Sequence, residues 1–382
     1  MKNSRILIAL LCTVMGTAVL VTTLVSAQPP LPDTPDAERL AEIGEETGSI
    51  ASPTQLSPNC TFDEAFGLYL CPHPVPAVLP QANPADHARA LGMLSSDGLL
   101  LVPDSHNRRI MALDPATGAV VDANFIPADT TNMDLPINAI LSAAGDSILV
   151  SDQNNDVILE YDFSGSFVGI FAPLGGADST IMDGPRGITL TDEGNLLVTT
   201  AADNVVQFDS SGSFLGEFIS TDVGTGNPDS PYDIYGRSTD WLVSAINSDA
   251  IHIFAMGIYQ EDFAPVDGFP QQLAIDSNGN VLVANFSGDE GVLEFTAGGT
   301  LSSTHVVTGT SSALGVRGVY ILPNGNLLAS AGSLTQGNVY EIDRDTAVVT
   351  GDPKLPPGSY IPRYIEFVTV PQTLLYLPVV IR

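Results

Sequence analysis

Apolar and polar residues follow a regular pattern in the middle of the chain, over residues 187–218. The apolar run GITL leads into a turn at Gly194, and the triplet LLV follows it. After a short polar loop come the alternating run NVVQF, a second turn at Gly212 and the closing run FLGEF. Alternation with a period of two is typical of strands, and Gly, Asn and Asp favour the tight turns between them. The pattern therefore predicts four short antiparallel strands.

The same pattern occurs in six copies along the chain. Each copy has one anchor residue at the end of its triplet, and these are Val102, Val150, Val198, Val243, Val283 and Ala329. The anchors are 48, 48, 45, 40 and 46 residues apart, a spacing typical of propeller blades. Because a four-stranded sheet that is apolar on both faces cannot cover them alone, the units must stack around an axis. The sequence predicts an all-β fold, a six-bladed β-propeller of four-stranded antiparallel blades.

The regions outside the repeat predict an exported protein. Residues 1–27 carry Lys2 and Arg5, an apolar run and a small-residue cleavage site, which indicates a signal peptide, although the run is also long enough for an uncleaved anchor. Residues 28–58 are rich in Pro, Ser and Thr and predict a linker. In residues 59–83 we expect a disulfide between Cys60 and Cys71, since an oxidising compartment favours pairing. The propeller is predicted over 84–350, and residues 351–382 as closing strands or a tail. The protein is thus expected to be secreted, and either free or attached to the cell surface.

The charge of the chain limits its partners. It has 13 Lys and Arg against 44 Asp and Glu, a formal net charge of −31. Such a field repels nucleic acid and anionic membranes, and it attracts divalent cations and basic partners. We expect a monomer that binds a protein, peptide, glycan or small molecule, with no membrane contact unless the anchor is retained.

One copy of the repeat resembles a known family. The run GPRGITLTDEGNLLVTTAADNVVQFDSSG, residues 184–212, looks like an NHL repeat, and the other copies are similar to degenerate NHL or gluconolactonase-type blades. The resemblance implies a propeller but leaves its function open, because such propellers include lactonases, lyases and binding scaffolds. Our first hypothesis is a secreted scaffold that binds a ligand or a protein. The alternative is an extracellular lactonase or esterase that depends on a divalent metal.

A binding site is expected on one face of the propeller. The hairpins between the first and second strands and between the third and fourth are short, whereas the connectors between blades are long and acidic. We call these the hairpin face and the connector face, and variable loops favour binding at the latter. Aligning the inner strands there places together Asn138, Arg186, Tyr232, Gln271 and Arg317. Two guanidinium groups in this ring predict a site for a carboxylate or another oxyanion.

The resemblance to gluconolactonase-type propellers implies a different site, a divalent ion held in the channel by Glu, Asn and Asp side chains. Matching positions suggest Asn138 and Asp233 as ligands, with Asp86 or His87 of the first blade as a third and calcium as the ion. Arg186 departs from the pattern, since it stands where another oxygen ligand is expected.

Histidines are the candidates for a catalytic base. A lyase of the streptogramin type would need a histidine facing the channel, and only His87 and His106 lie near it in the predicted topology. His106, in the run DSHNRR, is predicted on the connector face and is the better candidate.

Overall fold

We analysed a computed structural model of the chain, which describes residues 61–63, 68–70, 83–220, 226, 228–288, 291–307, 314–333 and 336–370. The predicted signal peptide, the linker, Cys60, Cys71 and the last twelve residues lie outside this part, as does any test of the disulfide. Within the described part no helix is long and apolar enough to cross a membrane.

The described chain begins with a small hairpin and one helix. Strands β1 (Thr61–Asp63) and β2 (Leu68–Leu70) pair with each other. Helix α1 spans Pro84–Leu94, and Asn83 caps it by accepting a hydrogen bond of 3.1 Å from the backbone nitrogen of Ala85. Its Ala90 and Leu94 are buried against the sheets.

Six four-stranded antiparallel sheets follow, and each forms one blade. Blade 1 contains β3 (Leu99–Asp104), β4 (Arg109–Leu113) and β5 (Val120–Ile126). Blade 2 contains β6 (Pro136–Leu141), β7 (Ser147–Asp152), β8 (Val157–Asp162) and β9 (Phe167–Ala172). Blade 3 contains β10 (Ile188–Leu190), β11 (Leu196–Thr199), β12 (Val205–Phe208) and β13 (Phe214–Ile219).

The second half of the ring repeats this order. Blade 4 contains β14 (Pro231–Gly236), β15 (Trp241–Ala245), β16 (Ala250–Ala255) and β17 (Ile258–Pro265). Blade 5 contains β18 (Gly268–Ile275), β19 (Val281–Gly288), β20 (Gly291–Phe295) and β21 (Leu301–His305). Blade 6 contains β22 (Gly315–Ile321), β23 (Leu327–Gly332), β24 (Gly337–Asp343) and β25 (Val348–Thr350). The predicted six-bladed propeller is confirmed.

The ring is closed by a strand from the far end of the chain. Strand β26 (Glu366–Val368) pairs with β3, with Glu366 opposite Leu101, and is therefore the innermost strand of blade 1. The first blade thus contains strands from both ends of the repeat region, so that an unpaired strand edge is covered.

This closure corrects the expected position of Asp86 and His87. Both residues lie on α1, which packs against the outer strand β5, and not at the start of an inner strand. The His87 ring bonds the Asp122 carboxylate at 3.0 Å and the Phe163 carbonyl oxygen at 2.9 Å. Asn83 followed by Pro84 is a helix-start signal, and it determines the local structure here.

The hydrophobic core lies between neighbouring blades. All six anchor residues are fully buried, and one cluster joins Leu101 and Ile110 of blade 1 to Val150 and Leu159 of blade 2. Burying one such side chain stabilises a fold by roughly 1.5–3 kcal/mol. Interblade packing therefore holds the inner strands at fixed positions around the axis.

Candidate functional site

The inner strands present their side chains to the axis in three tiers. The strand pairing sets the level, since each anchor residue has an inner-strand partner, such as Ile188 opposite Val198 and Ile234 opposite Val243. The upper tier, on the connector face, consists of the residues two positions before these inner-strand partners: Ile137, Arg186, Tyr232, Gln271, Arg317 and Arg363. The middle tier consists of the residues one position before the inner-strand partners: Asn138, Gly187, Asp233, Gln272, Gly318 and Tyr364. The lower tier consists of the residues one position after the inner-strand partners, and it includes Tyr235 and Glu366.

The tiers bring together most of the predicted ligand-binding residues. Arg186, Tyr232, Gln271 and Arg317 share the upper tier. Asn138 does not; it lies in the middle tier beside Asp233. The β6–β7 turn is one residue longer than the β10–β11 turn, since six residues separate the paired Leu141 and Ile148, and five separate Leu190 and Leu196.

Four axial residues were not found from the sequence. They belong to two blades, and they are Gln272, Arg363, Tyr364 and Glu366. Three of them come from the closing strand or the residues just before it. The alternation of the run RYIEFV was visible, but only the pairing of β26 with β3 shows that this run faces the axis.

Tyr364 divides the channel into two ends. Its hydroxyl group donates a 2.9 Å hydrogen bond to the Tyr232 carbonyl oxygen, from blade 1 to the opposite blade 4. The side chain is fully buried, and its backbone nitrogen bonds the Ile137 carbonyl oxygen at 3.4 Å. The phenol ring therefore lies across the axis. We call the end of the channel above it, on the connector face, the upper mouth, and the separate cavity below it, on the hairpin face, the lower cavity.

Three arginines lie in the upper tier, and uncharged oxygen atoms accept hydrogen bonds from each of them. Arg186 donates to the Ser230 hydroxyl at 2.9 Å and to the Pro231 carbonyl oxygen at 3.0 Å. Arg363 donates from Nε to the Ser105 hydroxyl at 2.9 Å. Arg317 donates from Nη2 to the Ser333 carbonyl oxygen at 2.7 Å.

Arg317 is buried with little compensation for its charge. Its side chain is only 2% exposed, and Nη1 has no hydrogen-bond acceptor among the residues that the structure describes. Burial, reinforced by repulsion from Arg363, lowers the pKa of Arg317 well below that of an exposed arginine. Since a buried charge without a counter-charge is costly, this guanidinium group favours a bound anion.

Aromatic rings connect two of these arginines in an arc around the mouth. The Arg186 guanidinium lies 4.7 Å from the centroid of Tyr232, and that of Arg317 lies 4.3 Å from the centroid of Phe286. Phe269 lies between the two rings, 5.4 Å from Tyr232 and 6.1 Å from Phe286, and is roughly perpendicular to both. We call these five residues the arginine–aromatic arc.

The middle tier fastens blades to each other. Asp233 accepts a 2.8 Å hydrogen bond from the Leu273 nitrogen of the next blade. Gln272 accepts from the backbone nitrogens of Val319 and Ile365, each at 2.9 Å. Gly187 leaves the space that Asp233 needs, since a Cβ atom there would lie 2.5 Å from Oδ1.

The lower cavity contains two acidic residues. It has a volume of about 410 Å³, its walls are mostly apolar, and Asp233 and Glu366 both line it. Burial raises the pKa of Asp233 to about 7. Burial and the nearby Asp233 carboxylate raise the pKa of Glu366 to about 8. The two carboxyl groups therefore tend to hold protons near neutral pH, because a charged pair would be poorly solvated.

The axial residues fit the expected divalent ion poorly. Asn138 accepts from its neighbour Ala139 through Oδ1 at 2.7 Å, so that Nδ2 faces Ile188 and the Glu366 carboxylate. Gln272 likewise points Nε2 at Glu366, at 2.9 Å. Amide N–H groups directed at the carboxylate leave no amide oxygen for a cation. The third expected ligand, Asp86, bonds Asn83 on the outer helix, and the described residues contain no group of three or more His, Cys, Asp and Glu that could hold a metal.

The two candidate histidines are separated from each other. His106 lies in the loop between β3 and β4, on the connector face as predicted, next to Ser105, which binds Arg363. His87 anchors α1 to the outside of blades 1 and 2 through Asp122 and Phe163. His87 therefore serves to hold the helix and does not face the channel.

Comparisons with known proteins show the fold but no family. No family model matches the chain, and no curated protein matches it. Several solved structures are similar to it in fold. A propeller in a nidogen/laminin complex is similar with a TM-score of 0.55 and 14% identity, covering 72% of this chain and 99% of that one. A streptogramin B lyase has a TM-score of 0.50 and 17% identity, covering 72% and 88%.

A third similar structure is a protein of unknown function from Bacteroides caccae. Its TM-score is 0.51 at 17% identity, and the match covers 71% of this chain and 98% of that one. These similarities agree with the propeller fold expected from the sequence. At such low identity they establish the architecture, whereas function must be argued from the axial side chains.

Proposed function

We propose that this protein is an extracellular binding propeller that captures an anionic ligand at its upper mouth. The observation that carries the proposal is Arg317, whose guanidinium group is 98% buried yet leaves Nη1 without an acceptor in the described structure. Arg186 and Arg363 add positive charge at the same tier. A carboxylate or similar oxyanion would complete the hydrogen bonding of this group and neutralise it.

The distribution of charge supports this assignment. The whole chain has only 13 Lys and Arg residues against 44 acidic ones, yet three arginines converge at one end of the axis. Asp104, the nearby acid whose charge acts on Arg363, is itself bound to Arg109 at 3.1 Å. A buried structural arginine is usually paired with a carboxylate, and Arg317 has no such partner in the described part of the chain.

The first test is direct binding of simple anions. We expect calorimetric titration with acetate and sulfate to give saturable binding, and Arg317→Gln to weaken it at least about tenfold, since a charge-assisted hydrogen bond is worth about 1.5–3 kcal/mol. Arg237→Gln is the matched control, because Arg237 pairs with Asp240 on the hairpin face. Equal binding by both variants, or none by the native protein, would refute the proposal.

A metal-dependent lactonase is the other function suggested by the resemblance. The orientation of the Asn138 and Gln272 amides, whose nitrogens face Glu366, argues against it. We therefore do not assign a metal-dependent reaction to this channel.

A further inference from the structure

The surroundings of the upper mouth restrict the kind of anion that it accepts. A site for an inorganic anion or a sugar acid would be lined by polar groups. Here the guanidinium groups of Arg186 and Arg317 are stacked on aromatic faces, and the Phe269 ring spans the distance between those faces. Phe269 and Phe286 remain partly exposed, so that apolar area is available beside the cations.

The floor of the mouth is apolar as well. One hydrophobic cluster at the axis contains Ile137, Tyr232, Ile246 and Tyr364, with Phe269 packed against it. Tyr364 closes the channel below. A ligand that enters from the connector face would therefore place its acidic group at the arginines and its body against rings and aliphatic side chains.

Gln271 adds a polar requirement in the same tier. Its side chain is 2% exposed, and Oε1 has no hydrogen-bond donor in the described part of the chain. It follows Tyr232 and precedes Arg317 around the ring. An unsatisfied buried amide oxygen costs about 1–3 kcal/mol. A hydroxyl group on the ligand, close to its acidic group, would satisfy it.

We infer that the ligand of the upper mouth is an aromatic hydroxy acid, an inference that rests on the proposed anion-binding function. Its carboxylate binds Nη1 of Arg317, its hydroxyl group donates to Oε1 of Gln271, and its aromatic ring packs against Phe269 and Phe286. Stacking on Phe286 fixes the plane of the Arg317 guanidinium before the ligand arrives, which reduces the entropy lost on binding.

Two pairs of small acids test this inference with the native protein. Hydrocinnamate differs from propanoate by an aromatic ring, and phenyllactate differs from hydrocinnamate by a hydroxyl group. In calorimetric titrations we expect the ring to tighten binding about tenfold or more through apolar burial. The hydroxyl group is expected to tighten it about fivefold further, as one hydrogen bond does.

Two variants assign these gains to residues. Gln271→Leu should abolish the difference between phenyllactate and hydrocinnamate while keeping the gain from the ring. Phe286→Leu should reduce the gain from the ring while keeping the gain from the hydroxyl group. Thermal unfolding of each variant shows whether it is folded, and the comparison of ligands on the native protein needs neither variant.

The outcomes separate the two proposals. If no carboxylate binds, the anion-binding function itself is wrong. If propanoate binds as tightly as hydrocinnamate, the anion site stands and the aromatic inference is overturned. If lactate and propanoate bind equally, and phenyllactate matches hydrocinnamate, the role of Gln271 is overturned.

Discussion

Single side chains at the axis have different duties although they occupy neighbouring positions in sequence. Gln271 is buried in the upper tier with no donor to its Oε1 in the described structure, whereas Gln272 joins blade 5 to blades 6 and 1 through four hydrogen bonds. The neighbouring residues Tyr232 and Asp233 differ in the same way. Tyr232 belongs to the arginine–aromatic arc, whereas Asp233 bonds the next blade. Successive residues of a strand point to opposite faces, so that the proposed binding role and the structural role fall on neighbouring residues of these inner strands.

The carboxyl pair of the lower cavity predicts how stability depends on pH. The Asp233 pKa is about 7 in the folded protein against a usual 3.8, and that of Glu366 is about 8 against 4.5. Between these values the folded chain holds protons that the unfolded chain has lost. The free energy of unfolding should therefore be highest near pH 4 and fall by a few kcal/mol as the pH rises to about 8.

Asp233→Asn should flatten this dependence, because the amide cannot ionise. Urea denaturation at several pH values measures it. Glu261→Gln removes one acid from an exposed position on β17 and should leave the slope unchanged. A native protein whose stability rises between pH 4 and 8 would contradict the assignment.

Blade-to-blade contact makes some turn glycines essential. Gly212 lies in the turn between β12 and β13 with φ of +80°, and a Cβ atom there would overlap the Phe171 carbonyl oxygen of blade 2. Gly212→Ala should lower stability by about 2 kcal/mol or more, since it adds a clash to a strained backbone.

Gly169 is the matched control for that substitution. It lies on the outer strand β9, its φ is not positive, and a Cβ atom would meet nothing within 4 Å. Gly169→Ala is expected to change the unfolding midpoint in urea little or to raise it slightly. Equal losses in the two variants would show that the turn does not contact its neighbour as described.

The elements were predictable to the extent that their signals are local. Apolar triplets and glycine turns lie within a few residues of each other, and they predicted the blades correctly. The pairing of β26 with β3 joins residues more than 260 positions apart, and no local pattern specifies it. Arg363 and Glu366 were missed for that reason. Asn138 was placed one tier too high because the alignment on the anchor residues did not allow for the extra residue in the β6–β7 turn.

The charge of the whole molecule would oppose the proposed anionic ligand at long range. A net charge of −31 repels an approaching anion, whereas the arginines attract it only within the mouth. Salt screens exposed charges over about 10 Å at moderate ionic strength, and it affects buried contacts less. The association rate of an aromatic acid should therefore rise with ionic strength, whereas the dissociation rate should change little.

Stopped-flow measurements with a fluorescent aromatic carboxylate can measure both rates. The usual behaviour of a steered encounter is the reverse, with slower association at high salt. A steady fall in the association rate would mean that the arginines dominate the field outside the protein. The site would then lie closer to the surface than the burial of Arg317 indicates.

Closure by β26 also determines when the protein becomes complete. Synthesis proceeds from the N-terminal side, so blades 2 to 6 and three strands of blade 1 precede Glu366–Val368. Tyr364 and Arg363 arrive with that strand. A nascent chain therefore has no closed ring, and the proposed ligand site lacks Arg363 and Tyr364, until the segment that contains β26 has been made.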